Sequence, residues 1–168
     1  MINPRLSPVI ASLLVLSAAA SAALAHDPKA AQSLAIINRP APLEVAAVVD
    51  AFHGALTAGD IPAALARLSD DAIVFEAGGV ERGKAEYAAH HAAADAAFAK
   101  AVPSQIIRRN GQASGDTAWV LTEGRTKGAY KGKAVDRVTT ETMVLRRTSG
   151  AWRIVHVHWS SATARSGS

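Results

Sequence analysis

The chain has 168 residues, no cysteine, 19% charged residues and a formal net charge of +4. The missing cysteines exclude thiol catalysis, iron–sulfur clusters, cysteine-ligated zinc, disulfides and a lipid-anchored lipoprotein. The charge is mild, and Arg108-Arg109 and Arg146-Arg147 are pairs rather than a patch, which argues against nucleic acid as a partner.

Residues 1–25 read as a secretory signal peptide. Arg5 is their only charge, an apolar run covers 9–16, and Ala23-Leu24-Ala25 is a small-x-small cleavage site. The run is too short to span a bilayer, so the expectation is a periplasmic or secreted protein with no stable membrane insertion after cleavage. Residues 26–42, with Pro28, Pro40 and Pro42, read as a flexible arm. One domain is expected over 43–161, with a disordered tail over 162–168.

Over 43–58 the apolar residues Val45, Val48, Val49, Phe52 and Leu56 share one helical face. Gly59 stops this helix, and Asp60 caps a second, short one with Pro62 in its first turn. A short strand over 72–76 ends at Gly78-Gly79. A third helix is expected over 84–101, with Tyr87, His91, Ala94 and Phe98 as its apolar stripe and Pro103 beyond its end. The period then changes to two, which predicts four strands over 104–112, 117–127, 134–147 and 152–161. The fold class is α+β: three N-terminal helices packed on a strongly curved antiparallel sheet, a cone-shaped, cystatin-like roll. The open end of such a roll is a natural ligand site.

The segments Ala58-Gly59-Asp60-Ile61 and Leu68-Ser69-Asp70-Asp71-Ala72, then Val138-Thr139 through Leu145-Arg146-Arg147, and Gly150 to Ser160 with its Trp152-Arg153-Ile154-Val155-His156-Val157-His158-Trp159 core, carry a resemblance. The chain resembles the SnoaL-like members of the nuclear transport factor 2-like superfamily, which includes ketosteroid isomerases and polyketide cyclases. The resemblance covers roughly 43–161. It implies a catalytic acid at the end of the first strand, where Glu76 stands. It also implies a hydroxyl donor on the first helix, where Phe52 stands and supplies none. Proton abstraction next to a carbonyl needs both groups, so steroid isomerisation is not implied.

The chain has six histidines. His156 and His158 alternate on a strand and so share a face; with Trp152 and Ile154 on that face, they are expected to point into the cavity. The other face would carry Val155, Val157 and Trp159 and would be covered by a second copy of the chain. The candidate catalytic residues are Glu76 and His91. The candidate pocket comprises Phe52, Tyr87, His91, Glu141, Trp152, His156 and His158. No metal or other cofactor is expected, since no tight ligand motif is present; a weaker alternative is a site built from His91, His156, His158 and His26. The function expected first is binding of a small apolar or carbonyl-containing molecule by a homodimer. The alternatives are a proton-transfer enzyme using Glu76 or a pocket histidine, and a homodimeric assembly module or histidine-based metal binder.

Overall fold

The structure is a computed structural model and describes residues 39–165. The expected signal peptide, most of the expected arm and His26 lie outside the described residues. Helix α1 (Leu43–Ala58) buries Val45, Val49, Phe52 and Leu56 along one face. Gly59 closes it at φ 79, with its N–H on the Ala55 and Leu56 carbonyls. The Asp60 carboxylate accepts from the Ala63 N–H at 3.0 Å and starts α2 (Ile61–Leu65).

Strand β1 (Leu68–Glu76) then turns into β2 (Gly79–Arg82), a strand too short to be legible in the sequence. Glu76 pairs with Gly79, and Ala77 and Gly78 both have positive φ, so what reads as a break is a two-residue hairpin turn. Beyond Gly83, the expected third helix is two: α3 (Lys84–His90) and α4 (Ala92–Ala101). His91 sits between them at φ −121 and ψ −38. The break shifts the buried stripe to Tyr87, Ala92 and Ala96, while Ala94 is exposed and Phe98 only half-buried.

Four long strands follow: β3 (Ser104–Ser114), β4 (Thr117–Tyr130), β5 (Lys133–Thr148) and β6 (Ala151–Thr163). The sheet order is β2-β1-β6-β5-β4-β3. All neighbours are antiparallel except β1 and β6, which are parallel. That pairing joins the two ends of the domain, so no local turn signal announces it. β6 also runs past the expected start of the tail, and the Ala164 N–H donates to the Asp136 carbonyl at 3.0 Å. At the other end, the Gly111 N–H donates to the Arg39 carbonyl at 3.0 Å, and Ala41 lies so close that a Cβ on Gly111 would meet its Cβ at 2.7 Å. The last residues of the arm are thus laid against β3.

Register shifts interrupt the β1–β6, β3–β4 and β5–β6 ladders and bend the sheet. The helices cover one face, where Val74, Val120, Met143, Leu145, Ile154 and Val157 pack against Val49, Phe52 and Tyr87. The shift in β6 decides what reaches that face. Ile154 pairs with Leu145 but His156 pairs with Val144, so Val155 is an extra residue. Trp152 and Ile154 face the helices before it, and Val157 and Trp159 face them after it. The expected alternation is therefore inverted at His156 and His158, and Val157 and Trp159 are core rather than a surface for a second copy. No helix among the described residues is long and apolar enough to cross a membrane.

Candidate functional site

One register line crosses the helix-covered face of the sheet near its end. Glu76 pairs with Trp159, Trp159 with Glu141, Glu141 with Thr122, and Thr122 with Arg109. The adjacent line on the same face is apolar: Val74, Val157, Met143 and Val120. A polar row thus sits on the rim of the core, with α1 over one end and α3–α4 over the other.

At the first end, Glu76 lines a cleft with Val74, Glu81, Tyr87 and His91. Its free volume is about 10 Å³, the space of one water. Burial pushes the Glu76 carboxyl up, and the charge of Asp95 pushes it further, while His91 partly offsets both. Asp95 is raised too, by burial, against the opposing hydrogen bond from Tyr87 and the charge of His91. The Tyr87 hydroxyl donates to Asp95 Oδ2 at 2.8 Å, and burial raises its own pKa far above the usual phenol value. His91 Nδ1 meets Glu81 Oε1 at 2.5 Å, and His90 Nδ1 meets Glu81 Oε2 at 3.2 Å.

At the second end, Glu141 is buried, and its Oε2 takes two N–H donors: His53 Nε2 at 2.6 Å and Trp159 Nε1 at 2.7 Å. Burial alone would raise this carboxyl. The His53 hydrogen bond and charge, the Trp159 N–H and the charge of Arg109 outweigh it and hold the pKa below the usual value. Glu141 Oε1 is buried with no hydrogen-bond partner. Arg109 is fixed by the Asp50 carboxylate and by Thr122 Oγ1 at 3.1 Å. Between the ends, Phe52 stacks on Trp159, with ring centroids 6.2 Å apart and planes 22° apart.

Of the residues expected at the site, Glu76, Tyr87 and His91 converge on the cleft, and Phe52 and Glu141 belong to the same row or its cover. Trp152 does not join them. It pairs with Arg147 at the far end of β6, under the Arg147 guanidinium, seven residues or roughly 23 Å of strand from Trp159. His156 and His158 lie on the face away from the helices, their rings 4.9 and 6.0 Å from that of the part-exposed Phe75. His156 Nδ1–H donates to the Ile73 carbonyl at 3.0 Å. A metal site of His91, His156 and His158 is therefore excluded by the sheet between them. Glu81, Asp95 and His53 are not among the expected site residues, and Trp159 is expected on the opposite face. Asp95 carries a signal in retrospect, standing two helical turns past Tyr87, whereas the His53–Glu141 pair joins segments far apart in sequence and carries none.

The match to the SnoaL-like domain family covers residues 45–164. The chain belongs to this family. Among solved structures, it is similar to a presumed ketosteroid isomerase from Shewanella frigidimarina, with 37% identity, a TM-score of 0.68, and coverage of 70% of this chain and 94% of that one. It is also similar to an NTF2-like protein of unknown function from Pseudomonas putida (25% identity, TM-score 0.60, covering 70% and 83% of the two chains). A presumed dehydratase of the NTF2-like family from Streptomyces avermitilis shares the fold at 20% identity and a TM-score of 0.62, over 72% and 96% of the two chains. No curated protein matches the chain.

Proposed function

We propose that this SnoaL-like domain binds a small carbonyl-containing molecule at the Glu76 end of the row and transfers a proton next to its carbonyl. The observation that carries this reading is the Glu76 carboxyl itself. It ends a strand, lines a cleft with Tyr87 and His91, and has a pKa raised by burial and by Asp95 toward the range where a carboxylate is an effective base. Glu76 takes the proton. The His91 imidazole, tied to Glu81, faces the negative charge that develops on the substrate oxygen. The Tyr87–Asp95 pair keeps the cleft floor fixed. The name given to the Shewanella relative supports a carbonyl substrate. His91, whose side chain is 46% exposed, stands at the mouth of the cleft by which a ligand enters.

The test is proton exchange in D2O, followed by NMR, with a panel of small ketones, enones and β-diketones. Wild-type protein should exchange the α-protons of at least one class, and Glu76→Gln should not. Binding with no exchange by either protein would reduce the reading to a binding module.

Export and homodimerisation belong to the same proposal. Cleavage after Ala25 follows from the sequence of the leader, and N-terminal sequencing of secreted material should begin at His26. A second copy is proposed on the face away from the helices, where Ile73, Phe75, Leu121 and Val138 are each 36–41% exposed. Light scattering should give a dimer for the wild type and a monomer for Phe75→Glu.

A further inference from the structure

We infer a binding site for a divalent transition-metal ion, of which zinc is the simplest probe, formed by Glu81, Glu86 and His90. Each offers one ligand atom, and these atoms all lie within 4.8 Å of one another. Donors bound to one zinc ion at about 2.0–2.2 Å sit somewhat closer than that, so modest side-chain rotation closes the set. Two carboxylates and an imidazole suit a borderline ion better than calcium or magnesium. Three protein ligands with an open position is a normal arrangement for such an ion.

The local sequence builds this triangle. Glu81 stands on β2 and is buried, with 8% of its side chain exposed. Gly83, at φ 136, turns the chain back so that α3 crosses over β2. Glu86 and His90 are four apart on α3 and therefore neighbours on one face. Glu86 Oε2 accepts the Arg82 N–H, which holds it at the strand-to-helix turn. The burial runs from Glu81 inward through Glu86 to the exposed His90, whose side chain is 60% exposed, so an ion enters from solvent.

A second observation is the break between α3 and α4. Adjacent side chains on an unbroken helix diverge by about 100°. Here His90 and His91 reach the two oxygens of one carboxylate, which the non-helical backbone at His91 makes feasible. Neither proline nor glycine occupies the break. With His91 on Oε1, Glu81 is held with Oε2 turned toward His90 and Glu86. That is how an outer partner orients a ligating carboxylate. The corner also gathers Glu76, Glu81, Glu86 and Asp95, whose partners are two imidazoles, a phenol and a backbone N–H. A dication supplies the positive charge this corner is short of.

The test is calorimetric titration of chelator-treated wild-type protein with zinc chloride, with cobalt(II) absorption as a second readout. One ion should bind per chain. His90→Ala and Glu86→Gln should each weaken binding by tenfold or more while leaving the fold intact, since both side chains lie outside the core. His158→Ala should leave zinc binding unchanged, and His90→Ala should leave the proton exchange of the metal-free protein unchanged, which separates this site from the proposed proton transfer. No binding by the wild type, or binding that survives both His90→Ala and Glu86→Gln, overturns the inference.

Discussion

Glu76 and Glu141 stand on one face of one sheet, two strands apart in the same register line, each beside a histidine. Burial pushes both carboxyls up. Glu76 stays up and Glu141 ends down. The difference lies in their neighbours. Glu141 receives N–H donors from His53 and Trp159 and feels the charge of Arg109, whereas Glu76 faces a second carboxyl, Asp95. Opposed shifts of this kind separate a group that exchanges protons from one that holds a fixed charge. In the proposed function, Glu76 does chemistry and Glu141 anchors the rim.

The strongest way to break this comparison is to neutralise each carboxylate in turn. Glu76→Gln should lower the rate of proton exchange on a responsive ketone by about 10²-fold or more, the usual worth of a positioned base. It should at the same time raise the melting temperature at neutral pH, because it removes a partly desolvated charge that folding sets against Asp95. The sign follows from the raised pKa. Between the ordinary carboxyl value and the folded one, the native state binds more protons than the unfolded state, so stability falls as pH rises through that window. A Glu76→Gln protein that loses exchange and is also destabilised at pH 7 would assign Glu76 to structure instead.

Next in size is the wall between the ends. Phe52 is fully buried and stacked on Trp159. Phe52→Ala should cost about 3–5 kcal/mol in denaturant unfolding, the range for an aromatic truncated in a core. Phe52→Leu should cost much less. If both cost the same, the stack on Trp159 matters more than the volume.

The sequence displayed the helices, their caps and the long strands, because periodicity, Gly59, Asp60 and Pro103 are local signals. It also placed Glu76, Tyr87 and His91 near one another. It could not show the β1–β6 pairing, which brings Glu76 beside Trp159, nor the approach of His53 to Glu141. Both depend on residues far apart in the chain. The break at His91 was hidden in an alanine-rich run whose propensity favours continuous helix, and tertiary contacts to Glu81 override that propensity. The inserted Val155 did the most damage, since one extra residue in a strand sends every later side chain to the opposite face.

The charged anchor at the second end offers a smaller effect with the opposite pH signature. Glu141→Gln should destabilise by about 1–3 kcal/mol at pH 7, the cost of weakening a buried charged hydrogen-bond centre. Because the folded pKa of Glu141 lies below its ordinary value of 4.5, its contribution is fully present above that value. It is lost as pH falls through the folded pKa. The gap between wild type and Glu141→Gln should therefore close in acid, whereas the gap for Glu76→Gln opens as pH rises. Denaturant midpoints of the three proteins from pH 3 to pH 8 would show both slopes, and parallel curves would mean that the two ends are electrostatically alike.

The smallest expected effect is at His158, and it tests which face the site is on. His158 pairs with Thr142 and lies exposed beside Phe75, across the sheet from Trp159 and Glu76. Its neighbours along the strand, Val157 and Trp159, turn inward only because Val155 has changed the phase of β6. His158→Ala removes an exposed imidazole that meets the edge of the Phe75 ring and the tilted ring of His156. At protein concentrations where the chain is monomeric, it should shift stability by no more than about 0.5 kcal/mol, as surface substitutions do. Proton exchange on the responsive ketone should match the wild type, and the ketone should leave the His158 ring resonances unmoved while it shifts those of His91. A His158 resonance that moves with ligand, or an exchange rate that falls with His158→Ala, would place the ligand on the outer face of the sheet and remove the Glu76 cleft from consideration.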